Sequence, residues 1–256
     1  MLELYHSPGS TCSQKVRLCL HEKNLPFTAI WINTQTNEHL SPEYLKLNPN
    51  GVVPTLKHDD EVVLDSSVIC EYLDETFPEI PLSPEGAAGR AKMRSWMRFC
   101  EEVPTPAIRV PSFHLALSQR YKGFDEQRFR TQEIERRPLK KHFYQRMGLH
   151  GFDNEDVAKA IEQLDLTLER MEGRLEKGPW LMGEQFTIGD IIVAPTIDRM
   201  SDLRMSVMWE ERYPRVTDWY RRLQQRPAFQ QVYAKGARLS ERLSIKDLSV
   251  PLPTAC

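Results

Sequence analysis

Residues 51–73, GVVPTLKHDDEVVLDSSVICEYL, carry the reading that decides the fold. Residues 55–57 and 61–64 are short runs of strand-forming composition, separated by the turn His58-Asp59-Asp60. Behind the pair Asp65-Ser66, the apolar positions Val68, Ile69, Tyr72 and Leu73 return at helical spacing. The stretch therefore reads strand, strand, helix. Pro54 stands at the entrance of the first run, a place proline tolerates when its missing N–H is not needed by the ladder. A cis Val53-Pro54 bond would turn the backbone of Val53 outward, leaving its N–H and C=O free for an extended peptide ligand; a trans, purely structural bond is the other reading.

Upstream, residues 2–5 form a short strand, residues 13–23 carry the helical stripe Val16, Cys19 and Leu20, and residues 27–32 form a second strand. Parallel strands need such a helical crossover. The first 80 residues thus read β-α-β, connector, β-β-α.

Downstream, FPEIPLSPEGAAG over 77–89 holds three prolines and two glycines, which no helix interior or central strand accepts. Beyond it the strand signal disappears. Met93, Trp96, Met97 and Cys100 follow i, i+3, i+4, i+7, and Val157, Ile161, Leu164, Leu168, Met171 and Leu175 make one long stripe. Further helices are expected over 191–200 and 216–223. The expected fold class is α/β plus all-α: an α/β unit over 1–80, a linker over 81–89, an all-helical unit over 90–240 and a tail over 241–256.

Composition narrows the function classes. With 256 residues, 40% hydrophobic and 27% charged, the chain can bury a core without disulfide staples. Lys and Arg number 34 against 36 Asp and Glu, too even a balance for a general polyanion binder, so no nucleic-acid partner is expected. The start MLELYHSPGS has no basic region followed by an apolar core, and no apolar run is long enough to span a bilayer. A cytoplasmic protein without a membrane partner is the expectation. Cys12, Cys19, Cys70, Cys100 and Cys256 are an odd set with no C-x-x-C pair, which argues against a zinc site and against a dithiol.

Two helix starts could do chemistry. Ser10-Thr11-Cys12-Ser13 follows the first strand and opens the first helix. Hydroxyls and unpaired N–H groups at the positive end of a helix hold an anion, a thiolate included, although serine is also an ordinary N-cap. Cys12 is a third possibility, as a thiol activated by the same helix end. Asp65-Ser66 likewise caps a helix, but together they also suit the ammonium and carboxylate of an amino-acid head group. Between the helical stripes, residues 119–146 hold nine Lys or Arg and four Asp or Glu, a local charge of +5. Two readings fit this stretch: a solvated face or mobile connection, or a lid over an anionic or aromatic substrate.

In this order the motifs resemble the cytosolic glutathione S-transferases over residues 1 to about 235. STCSQKVRL is similar to the zeta-type helix-one signature and NEHL to the theta-type glutathione segment. LNPNGVVPTL with LDSSVICEYLDETFPE resembles the glutathione-site core, and WLMGEQFTIGDIIVAP the helix-capping signature, with Thr187 and Asp190 as its folding residues. The resemblance implies a thioredoxin-like N-terminal domain, a helical C-terminal domain, a homodimer and glutathione as co-substrate. Residue by residue it implies Ser10 as the hydroxyl that donates to the glutathione sulfur. It implies Thr11 beside Ser10, His39, backbone pairing through Val53 before Pro54, and Asp65 with Ser66 on the γ-glutamyl head. Val52 stands where several relatives have Lys or Gln. Tyr5 lies inside a strand, so serine rather than tyrosine chemistry is expected.

The segment 119–200, with AKAIEQLDLTLERME, is similar to the bacterial fungal-type transferases that include β-aryl etherases acting on lignin-derived aromatics. In that subgroup Ser13 matches the thiol-activating position, so Ser10 and Ser13 are both catalytic candidates. The reaction implied is attack of the glutathione thiolate on an electrophilic, aromatic substrate. Trp96, Arg109, Phe113, His114 and Tyr121 are its candidate contacts. A maleyl-type cis-trans isomerase and a non-catalytic glutathione-binding module are the alternatives.

Overall fold

A computed structural model describes residues 1–254. The chain opens with β1 (Leu2–His6), α1 (Thr11–Glu22), β2 (Thr28–Trp31), α2 (Pro42–Leu47), β3 (Thr55–His58), β4 (Glu61–Leu64) and α3 (Ser66–Thr76). The sheet order is β2-β1-β3-β4; β1 runs parallel to β2 and antiparallel to β3, which is antiparallel to β4. This is the thioredoxin-like arrangement, with α1 as the crossover of the parallel pair. Leu4 and Leu56 face each other in register and are wholly buried. They share a core with Val16, Cys19 and Leu20 of α1 and Ile69, Cys70 and Leu73 of α3. The second strand is shorter than the expected 27–32, although the N–H of Ile32 still donates to the carbonyl of His6 at 2.8 Å. The first helix starts two residues earlier than expected, because Ser10 caps it from outside.

The rest is helical: α4 (Gly86–Glu102), α5 (Pro104–Ala107), α6 (Arg109–Leu115), α7 (Glu126–Phe129), α8 (Lys141–Met147), α9 (Asn154–Arg174), α10 (Ile188–Asp202), α11 (Val207–Glu210), α12 (Pro214–Gln224) and α13 (Pro227–Val232). Nearly every residue of α10 is buried, which makes it the central helix around which the others stand. Its start is fixed by a capping box. The carboxylate of Asp190 accepts the N–H of Thr187 at 3.0 Å, that of Leu181 at 2.9 Å and the indole N–H of Trp219 at 2.9 Å. Burial pushes its carboxyl up to about 6 despite these bonds.

Trp96 belongs to this core rather than to a substrate site. It is 1% exposed, and its indole N–H donates to the carbonyl of Gly189 at 3.0 Å. Met93, Met97 and Cys100 of the same stripe are buried with it.

Buried and half-buried ion pairs tie the two units together. The ammonium of Lys15 on α1 meets Glu101 at 2.6 Å and Thr105 at 3.1 Å, and Arg226 makes two bonds of 2.6 Å to Glu22. Within the first unit and its exit, Lys23 holds Asp74 at 2.9 Å.

Residues 119–146 are not a loose connection. They run through a 3-10 turn over Leu117–Tyr121, then α7, one π turn over Arg130–Ile134, and α8. Charge pairing orders them: Arg120 and Arg137 both reach the buried carboxylate of Glu133. No helix among the described residues is long and apolar enough to cross a membrane.

Candidate active site

A cavity of about 450 Å3 lies where the N-terminal unit meets the helices. Its floor is the β1–α1 turn and the first residues of α1. Ser10 is extended (φ −84°, ψ 121°), and its hydroxyl oxygen accepts the N–H of Ser13 at 3.3 Å, an N-cap bond. The N–H groups of Thr11 and Cys12 make no bond among the described residues and stand at the positive end of a twelve-residue helix. Ser10, Thr11 and Cys12 all line the cavity.

Ser13 does not. Its side chain is fully buried, and its oxygen accepts the N–H of Ser7 at 3.3 Å, bracing the turn from behind. Of the two catalytic candidates, Ser10 is thus in the cavity lining and Ser13 is outside it, its hydroxyl oxygen engaged by the turn. Ser7, which sequence reasoning passed over, lines the cavity instead.

The field at this floor favours anions. Burial pushes the thiol of Cys12 up, but the charges of Lys15, Arg109 and Lys140 outweigh burial and Glu101, so the thiol titrates below its usual value. A second sulfur brought beside Ser10 would feel the same charges.

One side of the cavity is backbone. Gly51, Val52 and Val53 line it, and the Val53-Pro54 bond is cis. Tyr44 and Asn48 hold this segment, each donating to the carbonyl of Val52, at 2.7 and 2.9 Å. Pro54 itself lies outside the lining. The register that pairs Thr55 with Leu64 sets Asp65 beside Pro54. Asp65 and Ser66 are not among the lining residues; they open α3 directly after the Thr55–Leu64 pair. Asp65 caps α3 from a left-handed backbone position (φ 70°), its carboxylate accepting the N–H of Ser67 at 2.9 Å, that of Val68 at 3.3 Å, and the Ser67 hydroxyl at 2.6 Å. A non-glycine residue in that region is strained. Partial burial pushes its carboxyl up, but the Ser67 and Val68 bonds win and hold it below the usual range.

His39 lines the cavity, buried beneath the basic segment. Its Nε2 accepts from the guanidinium of Arg137 at 2.9 Å, while Nδ1 is buried without a partner among the described residues. Burial and the neighbouring Arg137 pull it down to about 3, so it is neutral and Nδ1 carries the hydrogen.

The opposite wall comes from α6 and α8. Phe113, Phe143 and Tyr144 pack edge to face, with centroids 5.1 Å apart for Phe113 and Phe143 and 5.7 Å for Phe113 and Tyr144. Arg109, Arg120, Arg137 and Lys140 complete it, and Trp31 stands at the rim, 61% exposed. Of the substrate candidates, Arg109 and Phe113 reach the cavity. His114 and Tyr121 do not. The imidazole of His114 is taken by the carbonyl of Phe152 at 2.9 Å, and the ring of Tyr121 is packed between Phe124 and Phe129 behind the wall. Sequence reasoning missed Lys140, Phe143 and Tyr144; the charge run and the aromatic pair within it were the available signal. Among the described residues no cluster of three metal-binding side chains exists.

Comparison with known proteins agrees with this architecture. The family model described as glutathione S-transferase, N-terminal domain, matches residues 9–76, and that described as glutathione S-transferase, C-terminal domain, matches residues 134–222. Protein LigF of Sphingobium sp. is 27% identical over 93% of this chain and 95% of its own. The crystal structure of beta-etherase LigF from that organism superposes with a TM-score of 0.82, at 26% identity over 92% of this chain and 99% of the other. Glutathione S-transferase TCHQD of Arabidopsis thaliana is 26% identical over 91% of this chain and 90% of its own. With both family domains in order around a cavity built at the N-terminus of α1, the chain belongs to the glutathione S-transferase superfamily.

Proposed function

We propose that this transferase holds glutathione as a thiolate at Ser10 and directs it at an aromatic electrophile, β-aryl ethers of lignin-derived compounds included. One observation carries the reading: Ser10, Thr11 and Cys12 line the cavity at the start of α1, where the charges of Lys15, Arg109 and Lys140 outweigh burial and hold the Cys12 thiol below its usual value. A free thiol near 8.5 is only a few per cent ionised at pH 7; lowering it by about two units makes it mostly anionic. A hydrogen bond from Ser10 to the sulfur and the helix end supply that shift.

The remaining contacts follow the peptide. Val53 offers its backbone to the cysteinyl unit, Asp65 and Ser66 the γ-glutamyl head, and the Nδ1–H of His39 a donor for the glycyl carboxylate. Phe113, Phe143 and Tyr144 form the face on which an aromatic ring lies. In ether cleavage the sulfur attacks the carbon bearing the aryloxy group. A C–S bond forms, the C–O bond breaks, and the phenolate leaves and takes a proton from solvent. The same reading includes a homodimer in the cytoplasm.

The test is direct. Incubated with glutathione and a β-aryl ether ketone, the protein should release the phenol and leave a glutathione thioether. Conjugation of a halogenated aromatic without phenol release would remove the etherase part, and neither product would remove the whole.

A further inference from the structure

The cavity is lined by six Lys or Arg side chains (Arg109, Arg120, Arg137, Lys140, Arg199 and Arg242) and by no Asp or Glu. Three of the six are accounted for by the protein itself. Arg120 and Arg137 are bound to Glu133, and Arg199 holds the carbonyl of Gly9 at 2.7 Å and lies 3.5 Å from Asp202. Arg242 lies across Gly9, and its charge acts on Arg199; its side chain too has no ion-pair or hydrogen-bond partner among the described residues, but it is exposed to solvent.

Arg109 and Lys140 differ. Both are half-buried, both line the cavity, and neither has an ion-pair or hydrogen-bond partner among the described residues. Both act on Cys12, beside Ser10. Burial and the charge of Arg109, helped by Arg137, pull the Lys140 ammonium down to about 8, as expected for a cation held beside another cation without a counterion. A bound thiolate would offset one charge. The second remains, next to Phe113 and Phe143.

On this basis, and resting on the transferase reading above, we infer that Arg109 and Lys140 form an anion subsite for the second substrate, which is therefore an aromatic electrophile carrying a carboxylate rather than a neutral one. The carboxylate sits between the two cations while the ring lies on the aromatic face. Such a site rejects a neutral isostere, because binding it would leave the cations desolvated and unpaired.

A matched substrate pair tests this: 4-chloro-3-nitrobenzoate and its amide, each with glutathione. In both, the C–S bond forms, the C–Cl bond breaks and chloride leaves. Each kcat/KM is divided by the uncatalysed rate, because the amide is intrinsically the more activated ring. The acid should be preferred by about tenfold or more, and the preference should fall about tenfold in R109Q and in K140Q, with K140R retaining most of it. An acid-to-amide ratio at or below one, or variants that slow both substrates equally, would overturn the inference; equal slowing would assign the cations to the thiolate or the leaving group. If glutathione itself fails to bind, the transferase reading falls. The subsite is then read separately from equilibrium binding of the free acid against the amide to the wild type and to R109Q: preference for the acid, lost in R109Q, supports it, and equal binding overturns it.

Discussion

The guanidinium of Arg137 donates to Nε2 of His39 at 2.9 Å and also binds Asn37 and the buried Glu133. A segment with a surplus of positive charge is thereby fastened onto the N-terminal unit, and the histidine beneath it is held neutral with its other nitrogen buried. Replacing Arg137 by Gln leaves Glu133 with Arg120 as its only close cation among the described residues. Denaturant unfolding should show a loss of about 2–4 kcal/mol, and the His39 imidazole resonances should titrate higher than in the wild type.

Acid should unfold the protein through its buried histidines. His39 is pulled down to about 3 and His6 to about 4, both mainly by burial, against 6.5 in an unfolded chain. Between these values the unfolded state binds more protons, so stability rises with pH through that window and falls as pH drops below 6.5. Asp190 works the other way between 3.8 and about 6, where the folded state holds the extra proton. His21 is lowered too, by burial and Arg17, and Asp198 is raised by burial like Asp190; three histidines outweigh two carboxyls, so the unfolding free energy should drop from pH 6.5 to pH 4.

Ser10 and Ser13 separate cleanly. Ser10→Ala should lower kcat/KM for conjugation about 10- to 100-fold while the protein stays folded. Ser13→Ala should instead cost about 1–2 kcal/mol of stability, because the buried N–H of Ser7 loses its acceptor, with a smaller effect on rate. Thermal unfolding and steady-state kinetics on both variants check the division.

Asp190→Ala removes the acceptor of four buried donors: the N–H and hydroxyl of Thr187, the N–H of Leu181 and the indole N–H of Trp219. Unfolding should become easier by about 3 kcal/mol or more, with poor recovery of folded protein.

Lys140 gives the acid preference its pH dependence. Its ammonium faces Arg109, Cys12 and Arg137 and loses its proton near pH 8. The acid-to-amide ratio should therefore decline as pH rises through that value in the wild type and stay flat in K140R, measured over pH 7 to 9 under constant ionic strength.

Much of this was legible in the chain. The β-α-β and β-β-α patterns, the helical stripes and the Thr187-Asp190 box rest on local periodicity, and the local backbone followed them. The Met93-Trp96-Met97-Cys100 stripe also contained its own answer about Trp96: a residue on a continuous apolar face is a core residue, and Gly189 satisfies its indole. Ser10 and Ser13 could not be separated from sequence, because three residues at a helix start fix neither which hydroxyl looks outward nor that Ser7 would turn its N–H onto Ser13. Residues 119–146 were harder still. Counting charges does not reveal that Glu133 is buried, or that Arg137 finds Asn37 and His39 roughly a hundred residues away; those pairings are long-range, and they convert a run of surplus charge into the wall of a cavity.

The central claim is that Ser10 and the start of α1 hold the glutathione sulfur as a thiolate. The measurement that tests it is a pH titration of the thiolate absorption difference spectrum of protein-bound glutathione, in the wild type and in Ser10→Ala. The account predicts a bound thiol about two units below its free value in the wild type, returning most of the way in the variant. A bound thiol that titrates at its free value in both proteins would contradict it.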